Sequence, residues 1–284
     1  MKKFFFWVIG IIFLMLIALS FGLILIGKNQ LHDSDIPQRK SLFMSEQPQK
    51  VLAFFPHPDD EVAVSGTLMN LLENGNEVYL VTLTKGEAGN SNAEHTKSEL
   101  AELRTLEMER SAELIGVTQL NLLNYPDSGL ENIGLDSLKE IALDWIEKIN
   151  PDILVSYDSK VGLYGHPDHR LSGLALEQVF LEKRGKENFS PVKLFQITLS
   201  PKQIEVALQL SSGFQRNYPR DREEGLPKPD FSVYTQPYFD RVLAVMKSHE
   251  TQQDVLKDLM PYHDKIPSWI YSRIFDREYF HEVK

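Results

Sequence analysis

Apolar positions fall along this chain in two regimes, one unbroken block at the start and then short apolar runs alternating with amphipathic stretches. Residues 4–26 read FFFWVIGIIFLMLIALSFGLILI, about 23 positions without a charge. As a helix rising ~1.5 Å per residue, the block is long enough to cross a ~30 Å hydrocarbon layer. A cleaved signal would carry a shorter apolar region and a small-residue cleavage site, so residues 1–27 read as an uncleaved, single-pass membrane anchor. A helix apolar all round has no polar face to turn outward from a core, which argues against a buried element. Lys2 and Lys3 precede the block, and Lys28 alone follows it closely, with Arg39 and Lys40 further on. The positive-inside rule then puts the amino terminus in the cytoplasm and the remainder outside. Residues 28–49 are polar, carry Pro37 and Pro48, and read as a tether.

From residue 50 onward the pattern changes to alternation. Residues 50–55 (KVLAFF) predict a strand, 60–73 a helix stopped by Asn74-Gly75, and 77–84 (EVYLVTLT) a second strand. Residues 85–90 form a Gly-containing loop, and a long helical pattern runs from about Glu94 to Ile115 and closes at Gly116. A strand at 120–123, a helix at 135–149, a strand at 153–156 and a helix at 168–182 continue the series. Later expectations are a strand at 192–199, an irregular stretch at 217–237, a helix at 238–249 and a terminal aromatic helix within 269–280. Such alternation predicts an α/β domain over residues 50–284: a Rossmann-like, mostly parallel sheet with helices on both faces.

Composition narrows the functional classes. Of 284 residues 42% are hydrophobic and 25% charged, as in an ordinary globular protein. The net charge is −10, and without Lys2 and Lys3 the remainder is more acidic still, which removes the basic footprint of nucleic-acid binding. Cysteine is absent, so disulfides, thiolate ligands and thiol nucleophiles are excluded.

Two short segments concentrate the chemistry: His57-Pro58-Asp59-Asp60-Glu61 and His166-Pro167-Asp168-His169. Each follows a predicted strand of the kind whose carboxyl end borders the ligand crevice of open α/β sheets. Imidazoles and carboxylates gathered there suit a divalent ion that keeps an open position, lowers the pKa of bound water and hydrolyses an amide. An Asp before a helix is also an ordinary cap and His-Pro an ordinary turn, but capping does not account for two His-Pro-Asp segments at two strand ends.

The segment Phe-Pro-His57-Pro-Asp59-Asp60-Glu61, followed about a hundred residues later by Gly165-His166-Pro-Asp168-His169, resembles the LmbE-like (PIG-L) family of zinc-dependent N-acetylglucosamine deacetylases. Further matches are Arg104 with Glu107 ahead of Ala112 and Leu-Ile-Gly-Val117, then Tyr125-Pro-Asp127-Ser-Gly129-Leu, and finally Lys247-Ser-His249-Glu-Thr-Gln252. The resemblance covers roughly residues 51–252. It implies that His57, Asp60 and His169 ligate zinc; a His, His, Asp donor set also accepts iron, cobalt or nickel by the usual affinity order. It implies Asp59 as the general base on the metal-bound water, and His166 as the group that stabilises the oxyanion and helps protonate the departing amine. Asp168 would orient His166, and Arg104 and Asp127 would bind sugar hydroxyls. The residue patterns themselves also fit blander roles: Arg104 as an exposed partner of Glu99, Glu107 or Glu109, and Asp127 as a turn former. Glu61 fits a first-turn helix residue and His249 a group that orients another side chain. His32, His95, His263 and His281 have no site-forming spacing.

The expected partners are therefore an N-acetylated amino sugar or glycoconjugate and the membrane, without nucleic acid. Two other functions fit the same motifs: an amidase on a different amino-sugar conjugate, and a non-catalytic surface sugar-binding protein.

Overall fold

The computed structural model describes residues 2–89 and 95–284, so the expected loop at 85–90 and the helix start near Glu94 fall partly outside the described residues. Among the described residues eight strands form one sheet: β1 (Gln38–Arg39), β2 (Lys50–Phe55), β3 (Glu77–Thr84), β4 (Gln119–Tyr125), β5 (Ile153–Tyr157), β6 (Lys193–Thr198), β7 (Phe231–Tyr234) and β8 (Arg277–Glu282). Their spatial order is β1-β7-β8-β6-β5-β2-β3-β4. The five strands from β4 to β6 are parallel. β8 pairs antiparallel with both β6 and β7, and β1 adds in parallel to β7. From the central β2 the chain moves outward through β3 and β4, and returns to β5 on the other flank of β2. That reversal opens a crevice above the carboxyl ends of β2 and β5.

Alternating residues of β2 feed the two faces. Val51, Ala53 and Phe55 pack with Leu68, Met69, Met108 and Met246 on one side. Leu52 and Phe54 pack with Leu138, Ile146, Leu176 and Phe180 on the other. Burial on both faces explains why the central strands read as continuous apolar runs. Helices Ser65–Glu73, Lys97–Ile115 and Phe239–Ser248 cover the first face, and Leu135–Ile149 and Pro167–Lys183 the second. The start of the Lys97–Ile115 helix is fixed by a capping box in which Thr96 and Glu99 exchange side-chain-to-backbone bonds.

Four local expectations are corrected. The single helix expected over 60–73 is a 3-10 turn, Asp60–Val64, followed by the helix Ser65–Glu73. Asp60 Oδ2 accepts the His57 N–H at 2.7 Å and Glu61 Oε2 the Asp59 N–H at 3.0 Å, and these side-chain bonds compete with regular helix geometry. The irregular stretch 217–237 contains β7, whose four residues are too few to show a period. The terminal aromatic segment splits into a helix, Ser268–Ile274, and β8. Periodicity failed in β8 because its two buried residues, Tyr279 and Phe280, are adjacent and flanked by half-buried charged ones. Lastly, the polar tether over 28–49 is docked rather than free: the N-terminal helix Lys2–Leu31 continues into it, Leu31, Ile36 and Leu42 are buried, and β1 caps the sheet edge.

Glu278 carries a consequence for stability. Its carboxylate accepts the Gly66 and Thr67 N–H groups at 3.0 and 2.8 Å, yet burial pushes its pKa up to about 7. The folded state therefore holds a proton that an unfolded Glu releases, and this contribution is full below the ordinary Glu pKa and is lost as pH rises through about 7. The wild type should lose on the order of 2–3 kcal/mol more than Glu278→Gln between pH 4.5 and 7.5, read from paired denaturant melts.

Candidate active site

His57 follows β2 directly, and β5 leads through residues 158–165 to His166, so the two motifs meet above adjacent strands. Asp158 ties the second connection down, because its carboxylate accepts the N–H groups of Lys160, Val161 and Leu163. Gly165 has φ +101°, and a Cβ there would lie 2.2 Å from the Asn217 carbonyl, so only glycine lets the chain turn into His166. His166 is then the N-cap of helix Pro167–Lys183.

His57 Nδ1 lies 3.2 Å from His169 Nε2. Asp60 places Oδ1 3.0 Å from His169 Nε2 and Oδ2 3.6 Å from His57 Nδ1. Ligand atoms ~2.0–2.1 Å from a tetrahedral ion stand ~3.3 Å apart, and the two imidazoles have that spacing, with one oxygen of the Asp60 carboxylate beside each. Two other groupings of donor atoms are compact enough, His57 with His166 and His169, and His57 with Asp127 and Asp168. Electrostatics also favour a cation. Burial opposes a charged His57, but hydrogen bonds with Asp127 and Asp168 and the charge of Asp60 push its pKa up to about 10. Burial likewise works against ionised Asp60, yet the charges and hydrogen bonds of His169 and His57 lower its pKa to about 2. The carboxylates of Asp60, Asp127 and Asp168 around these imidazoles favour positive charge in the site, and a divalent ion fits the donor set.

Asp59 projects from a left-handed backbone, φ 96°, an uncommon state for a non-glycine residue and one that turns its side chain into the cavity. Burial raises its pKa to about 6, with Arg104 opposing at 3.3 Å. Arg104 is buried, not solvated, because its guanidinium donates to the carbonyls of Gly86 and Pro58 as well as meeting Asp59. It also lines the cavity, where its Nε has no partner among the described residues.

Asp168 does not orient His166 through its carboxylate, which sits 3.3 Å from His57 Nε2. The capping geometry explains this: His166 Nδ1 accepts the Asp168 N–H at 3.2 Å, and the Asp168 side chain turns towards His57. As an acceptor at Nδ1, neutral His166 carries its proton on Nε2. Burial, with the charges of His169 and His57, lowers its pKa to about 4 and keeps it neutral. Asp127 meets the same His57 Nε2 at 3.1 Å and accepts the Ala88 N–H at 2.8 Å.

Several functional neighbours escaped the sequence reading. Tyr157, the last residue of β5, donates to Asp60 Oδ1 at 3.0 Å and stacks on the His169 ring at 4.1 Å between centroids. Its place at a strand end was the available signal. Glu61 is a first-turn residue as expected but fully buried, and its carboxylate accepts from Ser111 Oγ, from the Asp59 N–H and, at 2.6 Å, from His249 Nε2, the histidine expected to orient another side chain. Tyr164 sets its ring edge-on to His166 and His169. Tyr157 and Tyr164 face, with His57, Asp59, Asp60, His166 and His169, a cavity of about 260 Å³, just below the ~300–1,000 Å³ usual for small-molecule sites.

Comparison with known proteins places this geometry. Residues 52–180 match the family model described as GlcNAc-PI de-N-acetylase, PIG-L. A diacetylchitobiose deacetylase from Thermococcus kodakarensis is 32% identical over 218 residues, 75% of this chain and 74% of the relative. The chain belongs to the PIG-L (LmbE-like) family. A probable N-acetyl-α-D-glucosaminyl L-malate deacetylase 2 of Bacillus anthracis, 24% identical over 78% of this chain and 94% of its own, is a further PIG-L-type relative. The N,N′-diacetylchitobiose deacetylase of Pyrococcus horikoshii shares the fold, with a TM-score of 0.61 at 24% identity over 84% of this chain and 85% of the other. So does a 4-carboxy-2-hydroxymuconate hydratase, GalB, from Pseudomonas putida, with a TM-score of 0.57 at 17% identity over 83% and 96%. The fold alone thus does not select the reaction.

Proposed function

We propose that this chain is a membrane-anchored, metal-dependent hydrolase that removes the acetyl group from an N-acetylglucosamine-type amino sugar or glycoconjugate. The observation that carries the reading is the His57, Asp60, His169 triangle with a second carboxylate, Asp59, beside it in one cavity. In this reading His57, Asp60 and His169 hold the ion, zinc being the first choice for two imidazoles and a carboxylate. When bound, the ion supplies Lewis acidity towards an amide oxygen and acidifies water.

The remaining roles belong to side chains. Asp59 takes the proton from the attacking water. His166 turns its Nε2–H on the oxyanion, and the proton that Asp59 has taken from the water passes to the amine, which leaves poorly without one. Asp168 and Asp127 hold the His57 ring from its far nitrogen, which fixes the nitrogen that faces the ion. Arg104, braced on the Asp59 loop, and Asp127 form the sugar-facing wall. The helix Lys2–Leu31, exposed along its apolar length, supports a single membrane span, and the two lysines that precede its apolar run support an extracytoplasmic domain.

The test is acetate release from N-acetylglucosamine and its short oligomers by the full chain in detergent. Release should stop with chelator and return with Zn²⁺. Release that ignores chelator overturns the metal assignment, whereas acyl release only from other amino-sugar conjugates moves the substrate class and keeps the site.

A further inference from the structure

The N-terminal helix does not merely precede the domain. In its last turns Ile24, Gly27, Lys28 and Leu31 are covered while Leu25, Ile26, Asn29 and Gln30 are exposed, the three-and-four spacing of one docked face. Ile24 and Leu31 share an apolar cluster with Val206, Ile270 and Ile274. At Gly27 a Cβ would come within 2.7 Å of Ile274, so the glycine permits the close approach. Polar bonds lock the contact: Lys28 Nζ reaches Asp276 at 2.9 Å, and Ser200 Oγ donates to the Leu31 carbonyl at 3.0 Å. Lys202 Nζ donates to the Asn29 and His32 carbonyls at 2.7 and 2.9 Å.

Ile24 lies inside the apolar run of residues 4–26, so whatever packs on it sits where that run meets the bilayer boundary. Two domain helices descend to this level. Pro201–Leu210 begins beside Leu31, reaches the Ile24 cluster with Val206, and continues one turn to Leu210. Ser268–Ile274 ends beside His32, which meets the Ile274 carbonyl at 2.8 Å, and it points its start, with Trp269, the other way. Leu210 and Trp269 are 43% and 53% exposed, and Tyr262, in the loop before helix Ser268–Ile274, is 49% exposed. Arg273 lies 5.9 Å from the Trp269 ring and Lys265 5.3 Å from the Tyr262 ring. Trp and Tyr flanked by Arg and Lys are the residues that collect at lipid headgroups. Ser211 and Phe214, immediately after Leu210, line the catalytic cavity.

We propose that the surface formed by Leu210 and Trp269 at the foot of the docked helix is a bilayer-facing lip, which seats the domain on the lipid surface with its cavity opening at headgroup level. The occupant is the lipid interface itself, because the surface is continuous with the membrane-spanning run. The inference rests on the reading of that run as a span.

The chain has no cysteine, so single cysteines report cleanly. Leu16→Cys, Leu210→Cys, Trp269→Cys and Leu181→Cys are made in the full chain, labelled with bimane and reconstituted in phosphatidylcholine–phosphatidylglycerol vesicles. Leu181, exposed on helix Pro167–Lys183, is the reference in water. The expected result is strong quenching of the Leu16 label by deeply placed doxyl lipid, and severalfold stronger quenching at positions 210 and 269 than at 181 by shallow doxyl lipid. Quenching at 210 and 269 equal to that at 181, with position 16 in lipid, overturns the lip and leaves the span intact. Failure of lipid quenching at position 16 overturns both.

Discussion

Asp59→Asn is expected to lower deacetylation by about 10²–10⁴-fold while metal content and melting temperature stay those of the wild type. Asn keeps the size of the side chain and can still face Arg104 through its carbonyl oxygen, so the left-handed turn at residue 59 has no reason to relax. It cannot take a proton. A buried carboxylate with a pKa near 6 is ionised at neutral pH yet close enough to neutrality to accept a proton, which is what a general base for amide hydrolysis needs. The measurement is turnover of a chelator-sensitive substrate beside metal analysis of the same preparation. Full turnover in the Asn variant would remove Asp59 from the chemistry and hand the role to another carboxylate of the cluster. Loss of metal together with turnover would make Asp59 a ligand instead.

Much of this arrangement was legible in the sequence because it depends on local order. Strand periodicity located β2 and β5, and a motif that directly follows a strand needs no long-range knowledge to be placed at the sheet's carboxyl edge. Which carboxylate meets which imidazole was not legible. Asp168 precedes His169 and follows His166 by two positions, yet its partner is His57, more than a hundred residues away, because the capped helix start turns its side chain across the crevice. Arg104 shows the same limit. Its helical neighbours invited a solvated reading, and only the return of the 85–89 loop over its guanidinium buries it. The docked linker was missed for a different reason: three buried apolar residues spread over a dozen positions make no period, and their burial depends on a sheet edge formed by β7.

The second large effect is expected at Glu61. Its carboxylate, fully buried, accepts from Ser111 Oγ, from His249 Nε2 and from the Asp59 N–H. Burial opposes its ionisation, but the charge of His249 and the hydrogen bonds from His249 and Ser111 hold its pKa below the ordinary Glu value. The ion pair therefore grips the backbone of Asp59 from behind. Glu61→Ala leaves three buried donors without their acceptor, a loss of about 3–5 kcal/mol, which lowers the melting temperature by roughly 6–20 °C. Glu61→Gln separates fold from function. One amide oxygen cannot serve both Asp59 and the His249–Ser111 side while the amide nitrogen only donates, so the grip on Asp59 loosens though the cavity stays filled. The Gln variant should melt within a few degrees of the wild type, bind metal normally and keep its KM. Its kcat should fall about 10–100-fold, as when other side chains that support a metal site are removed. An unchanged kcat in this folded variant would reduce Glu61 to a packing residue; a fallen kcat with normal metal would show that the base works only while its own backbone is held.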